Sequence, residues 1–258
     1  HAIPRITPPP PPGGATRAPA ARLLHDPVAD HLHGLRLVIL DVDGTLVDSQ
    51  AIIVEAQVRT FRAHGLTPPT RERSLSIVGL SLPEAFRVLL GEEEGSEARL
   101  AEAMAQTYRQ VFFTLRADAT YEEPLYPGVR ETLAALARRE DVLLGIATGK
   151  SRRGVDHLVA REGWEGLFAT VQTADDAPSK PHPAMIRQAL AETGVAAGDA
   201  AMVGDTTFDM EMARAAGIAA IGVAYGFHGV GALRDRGAHA IVERFSEIVP
   251  LLDARWRG

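Results

Sequence analysis

The sequence predicts an α/β protein: a parallel sheet flanked by helices, with a smaller all-helical unit inserted after the first strand. Two observations carry this expectation. Short continuous apolar runs alternate with segments of helical periodicity, the pattern of βαβ units. One long interval, residues 49–127, breaks that alternation and holds helical patterns alone.

The first run, "LRLVILDVDGT" (35–45), ends in acids and glycine, as a strand buried on both faces of a parallel sheet would. Similar runs follow at "VLLGIATG" (142–149), "FATVQTA" (168–174), "AAMVGD" (200–205) and "IAAIGVAYG" (218–226). Helical patterns lie among them near 128–140, 151–162, 183–194, 208–216 and 230–237. Within 49–127, "AIIVEAQVRTFRAHG", "LPEAFRVLLG" and "SEARLAEAMAQTYRQVFFTLRA" carry apolar residues at helical spacing, until the prolines of "EEPLYPGV" return the chain to the sheet. The acidic run Glu92–Glu94 reads as a solvated face.

These bounds give an α/β core of residues 34–48 and 128–258 and a helical unit of residues 49–127. Residues 1–33 contain a five-proline run that favours polyproline II and cannot form a core by itself. This segment reads as a tail or processing remnant, or as an arm that clasps a partner subunit.

Composition narrows the function. The 258 residues are 46% hydrophobic and 23% charged, ordinary for a soluble globular protein. A net charge of −6 argues against a nucleic-acid surface. Without cysteine there is no disulfide, no zinc–thiolate site and no thiol nucleophile, which suits a reducing, cytoplasmic setting. The apolar runs are too short to span a bilayer, so no membrane partner is expected.

Ligands of open parallel sheets bind beyond the carboxyl ends of the strands. The polar residues expected there are Asp41 and Asp43, Thr148 and Gly149, the loop that carries Lys180, and Asp205 with Asp209. In extended chain, residues two apart face the same way, so Asp41 and Asp43 share a pocket, and Gly44 allows a sharp turn after them. Two neighbouring carboxylates raise each other's pKa, so one can act as a charged nucleophile while the other carries a proton as general acid. Asp205 and Asp209 start a helix, where capping is one reading and oxygen ligation of Mg²⁺ the other. The hydroxyl of Thr148 and the free N–H of Gly149 could hold phosphate oxygens, with helix N-capping as the alternative.

Charge arithmetic favours a cation. Ionised Asp41, Asp205 and Asp209 beside a phosphate dianion bring five negative charges, and a like-charge pair ~4 Å apart costs about 4 kcal/mol at an effective dielectric of ~20. Magnesium and Lys180 would together return three positive charges. Of the 27 basic residues only Lys150 and Lys180 are lysine. A lysine is a compact point charge, which suits a position among several acceptors. Lys180 is therefore expected to neutralise nucleophile and phosphoryl group together. Lys150 is expected on the rim, and His182 in a turn or at a helix start.

In this order, these residues resemble the haloacid dehalogenase superfamily of phosphohydrolases: "DVDGTLVDS" (41–49) its first motif, Thr148 its second, Lys180 in "SKPHP" its third and "GDTTFDM" (204–210) its fourth. The resemblance implies a Rossmann-like three-layer core with a helical cap inserted after the first strand, as in the phosphoglycolate phosphatase-like subfamily. It also implies Asp41 as nucleophile, Asp43 as general acid and base, and Thr148 and Lys180 as phosphoryl-binding groups. By the same resemblance Mg²⁺ is ligated by Asp41, the backbone carbonyl of Asp43 and Asp205, with Asp209 acting directly or through water.

The expected reaction is Mg²⁺-dependent hydrolysis of a small phosphomonoester, 2-phosphoglycolate or a sugar phosphate, by a monomer or homodimer. A sugar phosphomutase of the β-phosphoglucomutase type shares the core residues and stands as the alternative. A more distant one is nucleotide binding, because "GIATGKS" (145–151) resembles a P-loop, although it has one residue too few between its glycines. Substrate choice is expected from the cap loop "SIVGLSLPEAFRVL" (76–89), in which Gly79 faces the site and Arg87 meets a substrate carboxylate or second phosphate.

Overall fold

The computed structural model describes residues 34–91 and 97–256; the Pro-rich segment 1–33 and the acidic run Glu92–Glu94 lie outside them. Six strands form one parallel sheet: β1 (Arg36–Leu40), β2 (Val142–Ala147), β3 (Thr170–Gln172), β4 (Ala200–Gly204), β5 (Ala219–Val223) and β6 (Ala240–Val242). Their order is β3-β2-β1-β4-β5-β6, so β1 is central and the order reverses beside it. β1 pairs Ile39 with Gly145 on one side and with Met202 on the other. Gly145 thus lies within a strand rather than in a phosphate loop, which removes the basis for the P-loop reading.

The continuous apolar character of β1 follows from burial on both faces. Val38 and Leu40 pack with Leu133 and Leu136 of α5 (Val129–Ala137), Val155 and Leu158 of α6 (Arg152–Glu162), and Ile248 and Leu252 of α10 (Ile248–Trp256). Leu37 and Ile39 point the other way, to Met185 and Ile186 of α7 (Ala184–Thr193), Met210 and Ala213 of α8 (Thr207–Ala216) and Leu233 of α9 (Val230–Asp235). Alternation along one strand therefore builds two cores and three layers.

Between β1 and α5 the chain is helical, with α1 (Gln50–Ala63), α2 (Arg71–Leu75), α3 (Leu82–Leu90) and α4 (Glu97–Arg116). These helices have a core of their own, in which Ile52, Phe61, Phe86, Met104, Tyr108 and Leu115 are buried together. Phe86 sits 6.1 Å from Phe61 and 5.9 Å from Tyr108 between ring centroids, within the range of favourable aromatic packing. Among the described residues no helix is long and apolar enough to cross a membrane.

Three elements escaped the periodicity: α2, a single short turn of helix, β6 and α10. β6 has three residues, too short to show a pattern. α10 carries Pro250 in its first turn, where a missing N–H costs nothing but where a sequence reader sees a breaker.

Candidate active site

The site is built at the carboxyl ends of β1, β2 and β4 and the loop that follows β3. Asp41 follows the last residue of β1 and is held by its backbone N–H, which donates to Val203 O at 3.0 Å. The chain then turns back on itself, with Leu46 N–H donating to Val42 O at 2.8 Å and Gly44 N–H to Val47 O at 2.9 Å. Gly44 takes φ +84°, and a Cβ there would collide with Asp205 and Phe227, so this turn admits no side chain.

Asp205, after β4, has both oxygens engaged: Thr45 Oγ1 donates to Oδ1 and Phe227 N–H to Oδ2, each at 2.8 Å. Asp209 both caps and pairs. Its Oδ2 accepts from Thr206 N–H at 3.0 Å and Thr206 Oγ1 at 2.7 Å in a capping box, while Oδ1 accepts from Lys180 Nζ at 2.6 Å. Capping and site chemistry, alternatives in the sequence, are thus served by the two oxygens of one carboxylate.

Asp41 is the exception in this network. It is fully buried, yet its two carboxylate oxygens accept no well-formed hydrogen bond; Lys180 Nζ stands 3.1 Å from Oδ1 as an ion-pair partner. Burial pushes Asp41 up to about 6, with Lys180 pulling it down and Asp209 pushing it further up. Burial raises Asp205 well above the carboxylate range, and the charges of Asp41 and Asp209 add to this. Burial disfavours the Lys180 ammonium, but Asp209 and Asp41 outweigh it and hold the lysine protonated. Carboxylate oxygens of Asp41, Asp205 and Asp209 all lie within 4.8 Å of one another. Three buried acids with one lysine are short of positive charge, and neither Asp41 oxygen accepts a well-formed hydrogen bond; such a group could hold a hard divalent cation.

Asp43 is turned away from that cluster. Its Oδ1 accepts from Lys150 Nζ at 2.8 Å, and the same ammonium donates to Glu123 at 3.1 Å. This corrects one expectation. Lys150 is not on the rim: its side chain is 8% exposed and locked between two acids. The Asp43 side chain faces Lys150 and stands outside the cluster of Asp41, Asp205 and Asp209. Burial opposes the Lys150 charge, but Asp43 and Glu123 more than compensate and raise it.

Asp41, Asp43, Thr148, Gly149 and Lys150 line a cavity of about 380 Å³ between the sheet and the cap helices. Thr148 is buried, its N–H bonded to Gln172 O at 3.0 Å. Gly79 is on the opposite wall, where the specificity loop was expected. Arg87 is not. It lies on the outer face of α3, half exposed and paired with Glu84 at 2.6 Å, while Leu82 and Ala85 face the cavity. The arginines that reach the cavity are Arg109, Arg116 and Arg153. Arg109, Phe112, Phe113 and Arg116 fall at i, i+3, i+4 and i+7 of α4, a spacing readable in the sequence once the cavity-facing side of α4 is known. His182 acts at a helix start, its Nδ1 accepting from Ala184 N–H at 3.2 Å.

The chain is similar in sequence and fold to known proteins. A 38% identical relative, "Probable phosphatase IndB" of Dickeya dadantii, aligns over 83% of this chain and 91% of its own length. A phosphoglycolate phosphatase of Nitrosococcus oceani is 32% identical over 84% of this chain and 96% of its own. The solved structure of a haloacid dehalogenase-like hydrolase from Streptococcus pneumoniae superposes with a TM-score of 0.70 at 26% identity, covering 85% of this chain and 99% of that one. A sequence profile of the haloacid dehalogenase-like hydrolases matches residues 38–223, from within β1 to the end of β5, and so takes in every strand-end acid of the site and the cap between them. The chain belongs to the haloacid dehalogenase-like hydrolase family.

Proposed function

We propose that this hydrolase is a Mg²⁺-dependent phosphatase that cleaves a small phosphomonoester through an aspartyl-phosphate intermediate. The observation that carries the reading is Asp41: a buried carboxylate lining the cavity, without a well-formed hydrogen bond and ion-paired with Lys180 at 3.1 Å. Such a group is a poised nucleophile.

Asp41 would attack phosphorus in line, forming the P–Oδ bond as the bond to the ester oxygen breaks, and Asp43 would give its proton to the leaving alkoxide. Asp43 would then take a proton from water as that water attacks phosphorus, releasing phosphate and regenerating Asp41. The sum is ester plus water to alcohol plus phosphate. Lys150 fixes the direction of the Asp43 carboxylate, and so the line along which its proton moves. Thr148 and the Gly149 N–H would hold the phosphoryl oxygens, and Lys180 would keep Asp41 and Asp209 compatible with a dianion beside them.

Asp41, the backbone carbonyl of Asp43 and Asp205 would hold the metal. Asp209, whose Oδ1 accepts from Lys180 and Oδ2 from Thr206, would act on the metal directly or through water. When bound, Mg²⁺ supplies charge neutralisation and Lewis-acid polarisation of the phosphoryl group.

The test is phosphate release by the wild type and by Asp41→Asn from a panel that includes 2-phosphoglycolate, hexose phosphates and β-glucose 1-phosphate, with and without Mg²⁺. Metal-dependent release by the wild type alone is expected, with the variant folded by circular dichroism. Release by Asp41→Asn at the wild-type rate would rule out the nucleophile. Isomerisation of the glucose phosphate without release would assign a phosphomutase instead.

A further inference from the structure

From the walls of the cavity we infer that the alcohol released from the substrate carries a ring-sized, largely apolar body with a hydrogen-bond donor on it. This rests on the phosphatase reading and names the substrate class of that same site. The cavity above Asp41, about 380 Å³, lies within the range of pockets that enclose ligands larger than a two-carbon acid. Away from the catalytic floor it is walled by Ile53, Ile77, Leu80, Tyr108, Phe112 and Phe113. Water would fill such a space poorly, and a small charged alcohol would leave most of the apolar wall uncovered.

Polar groups break that wall: Gln57 and the guanidinium groups of Arg109, Arg116 and Arg153, of which Arg116 is already paired with Glu123. Gln57 also lines the cavity; its Nε2 donates to Ser74 O at 3.2 Å, which leaves Oε1 buried without a partner among the described residues. An orphaned buried acceptor in a ligand cavity calls for an N–H or O–H on the ligand. At the mouth, Phe113 of α4 is 60% exposed, and the Arg153 guanidinium of α6 stands 4.6 Å from its ring centroid. A flat ring that enters between cap and core would extend this stack.

The experiment compares alkyl esters so that leaving-group acidity stays level: ethyl phosphate, 2-phenylethyl phosphate, 2-(4-hydroxyphenyl)ethyl phosphate, its methyl ether, and 2-phosphoglycolate. At ~25 cal/mol per Å² of apolar surface buried, the phenyl ring is expected to raise kcat/KM by about tenfold or more over the ethyl ester. The free hydroxyl is expected to beat its methyl ether in the wild type, and Gln57→Met to erase that difference. Phe113→Ala should lower the phenylethyl-to-ethyl ratio about threefold. Affinities of ethylphosphonate and 2-phenylethylphosphonate for the wild type, by calorimetry, supply a readout without turnover. Equal turnover and equal binding across the pair, or 2-phosphoglycolate as the best ester, would overturn the inference and leave a phosphatase. Ring-selective phosphonate binding with no ester hydrolysed would uphold the shape of the ligand and defeat the hydrolytic reading instead.

Discussion

Lys150 and Asp43 form a partly buried ion pair, 2.8 Å from Nζ to Oδ1, and the lysine reaches Glu123 with its second bond at 3.1 Å. Arg116, the last residue of α4, holds the other oxygen of Glu123 at 2.9 Å. A line of alternating charge therefore runs from the cap helix to the proposed acid and base. Lys150→Met would leave Asp43 without its cation and Glu123 with Arg116 alone, and removing one partner of a fully buried pair costs about 3–5 kcal/mol, an upper bound for this partly buried one. We expect a lower urea midpoint and a kcat reduced roughly ten- to hundredfold. Lys150→Arg should not restore kcat, because a planar fork cannot replace a point charge between two carboxylates. Unchanged kcat in the methionine variant would reduce Lys150 to a structural role.

Gly149 sets how closely the cap loop approaches the sheet. A Cβ at Gly149 would lie 2.5 Å from Gly79 O and 2.7 Å from Leu80 O, and these are backbone atoms that no rotamer change can move aside. Gly149→Ala should push the 76–82 loop away from the phosphoryl end of the cavity. Overpacking of this kind costs about 1–3 kcal/mol. The expected signature is a kcat/KM reduced at least about tenfold, with faster hydrogen exchange in residues 76–82 than in β1. Exchange that stays the same in that loop would mean the contact does not set its position.

How much of this was readable beforehand depends on the range of the interactions involved. β1 to β5 announced themselves because burial on both faces demands apolar runs, and the strand-end acids stood out because each interrupts such a run. Asp41, Asp205, Asp209 and Lys180 are brought together by the parallel order of β1 and β4, which the alternation of elements already implies. The partner of Asp43 was hidden, since Lys150 reaches it only through the turn after β2, and local sequence offers an equally good surface reading. Arg87 misled for a different reason: the phase of α3 is set by packing of Ala85 and Phe86, and that packing turns Arg87 outward. Gln57 gave no signal at all, because an orphaned acceptor is a property of the folded environment.

Metal binding should show in stability before it shows in catalysis. Asp41, Asp205 and Asp209 cluster with one lysine, and burial raises Asp41 and Asp205. A cation that binds only the folded state adds about 2.7 kcal/mol at a hundred times its Kd. For a chain of this size that corresponds to a Tm higher by roughly 5–10 °C. Saturating Mg²⁺ should produce such a rise, EDTA should reverse it, and Asp205→Asn should show little of it. A Tm indifferent to Mg²⁺ in the wild type would argue that the three acids are held by Lys180 and hydrogen bonds alone.

Glu123 supplies a pH dependence that can be worked out in sign. Burial pushes its carboxyl up, but Lys150 and Arg116 overcome this and hold it at about 2, against an ordinary 4.5. The folded state thus favours the ionised form more than the unfolded chain does. Its contribution is complete above pH 4.5 and is lost as pH falls toward 2. Glu123→Gln removes the charge at every pH, so the variant should be less stable than the wild type by roughly 3 kcal/mol at pH 7. The difference should narrow between pH 4.5 and 2, as the wild type takes up the proton whose charge the variant never had. Urea unfolding of both proteins across that range measures the gap directly. A gap that stays constant with pH would show that Glu123 acts through packing and hydrogen bonding, and that its charge does not tie the cap helix to Lys150.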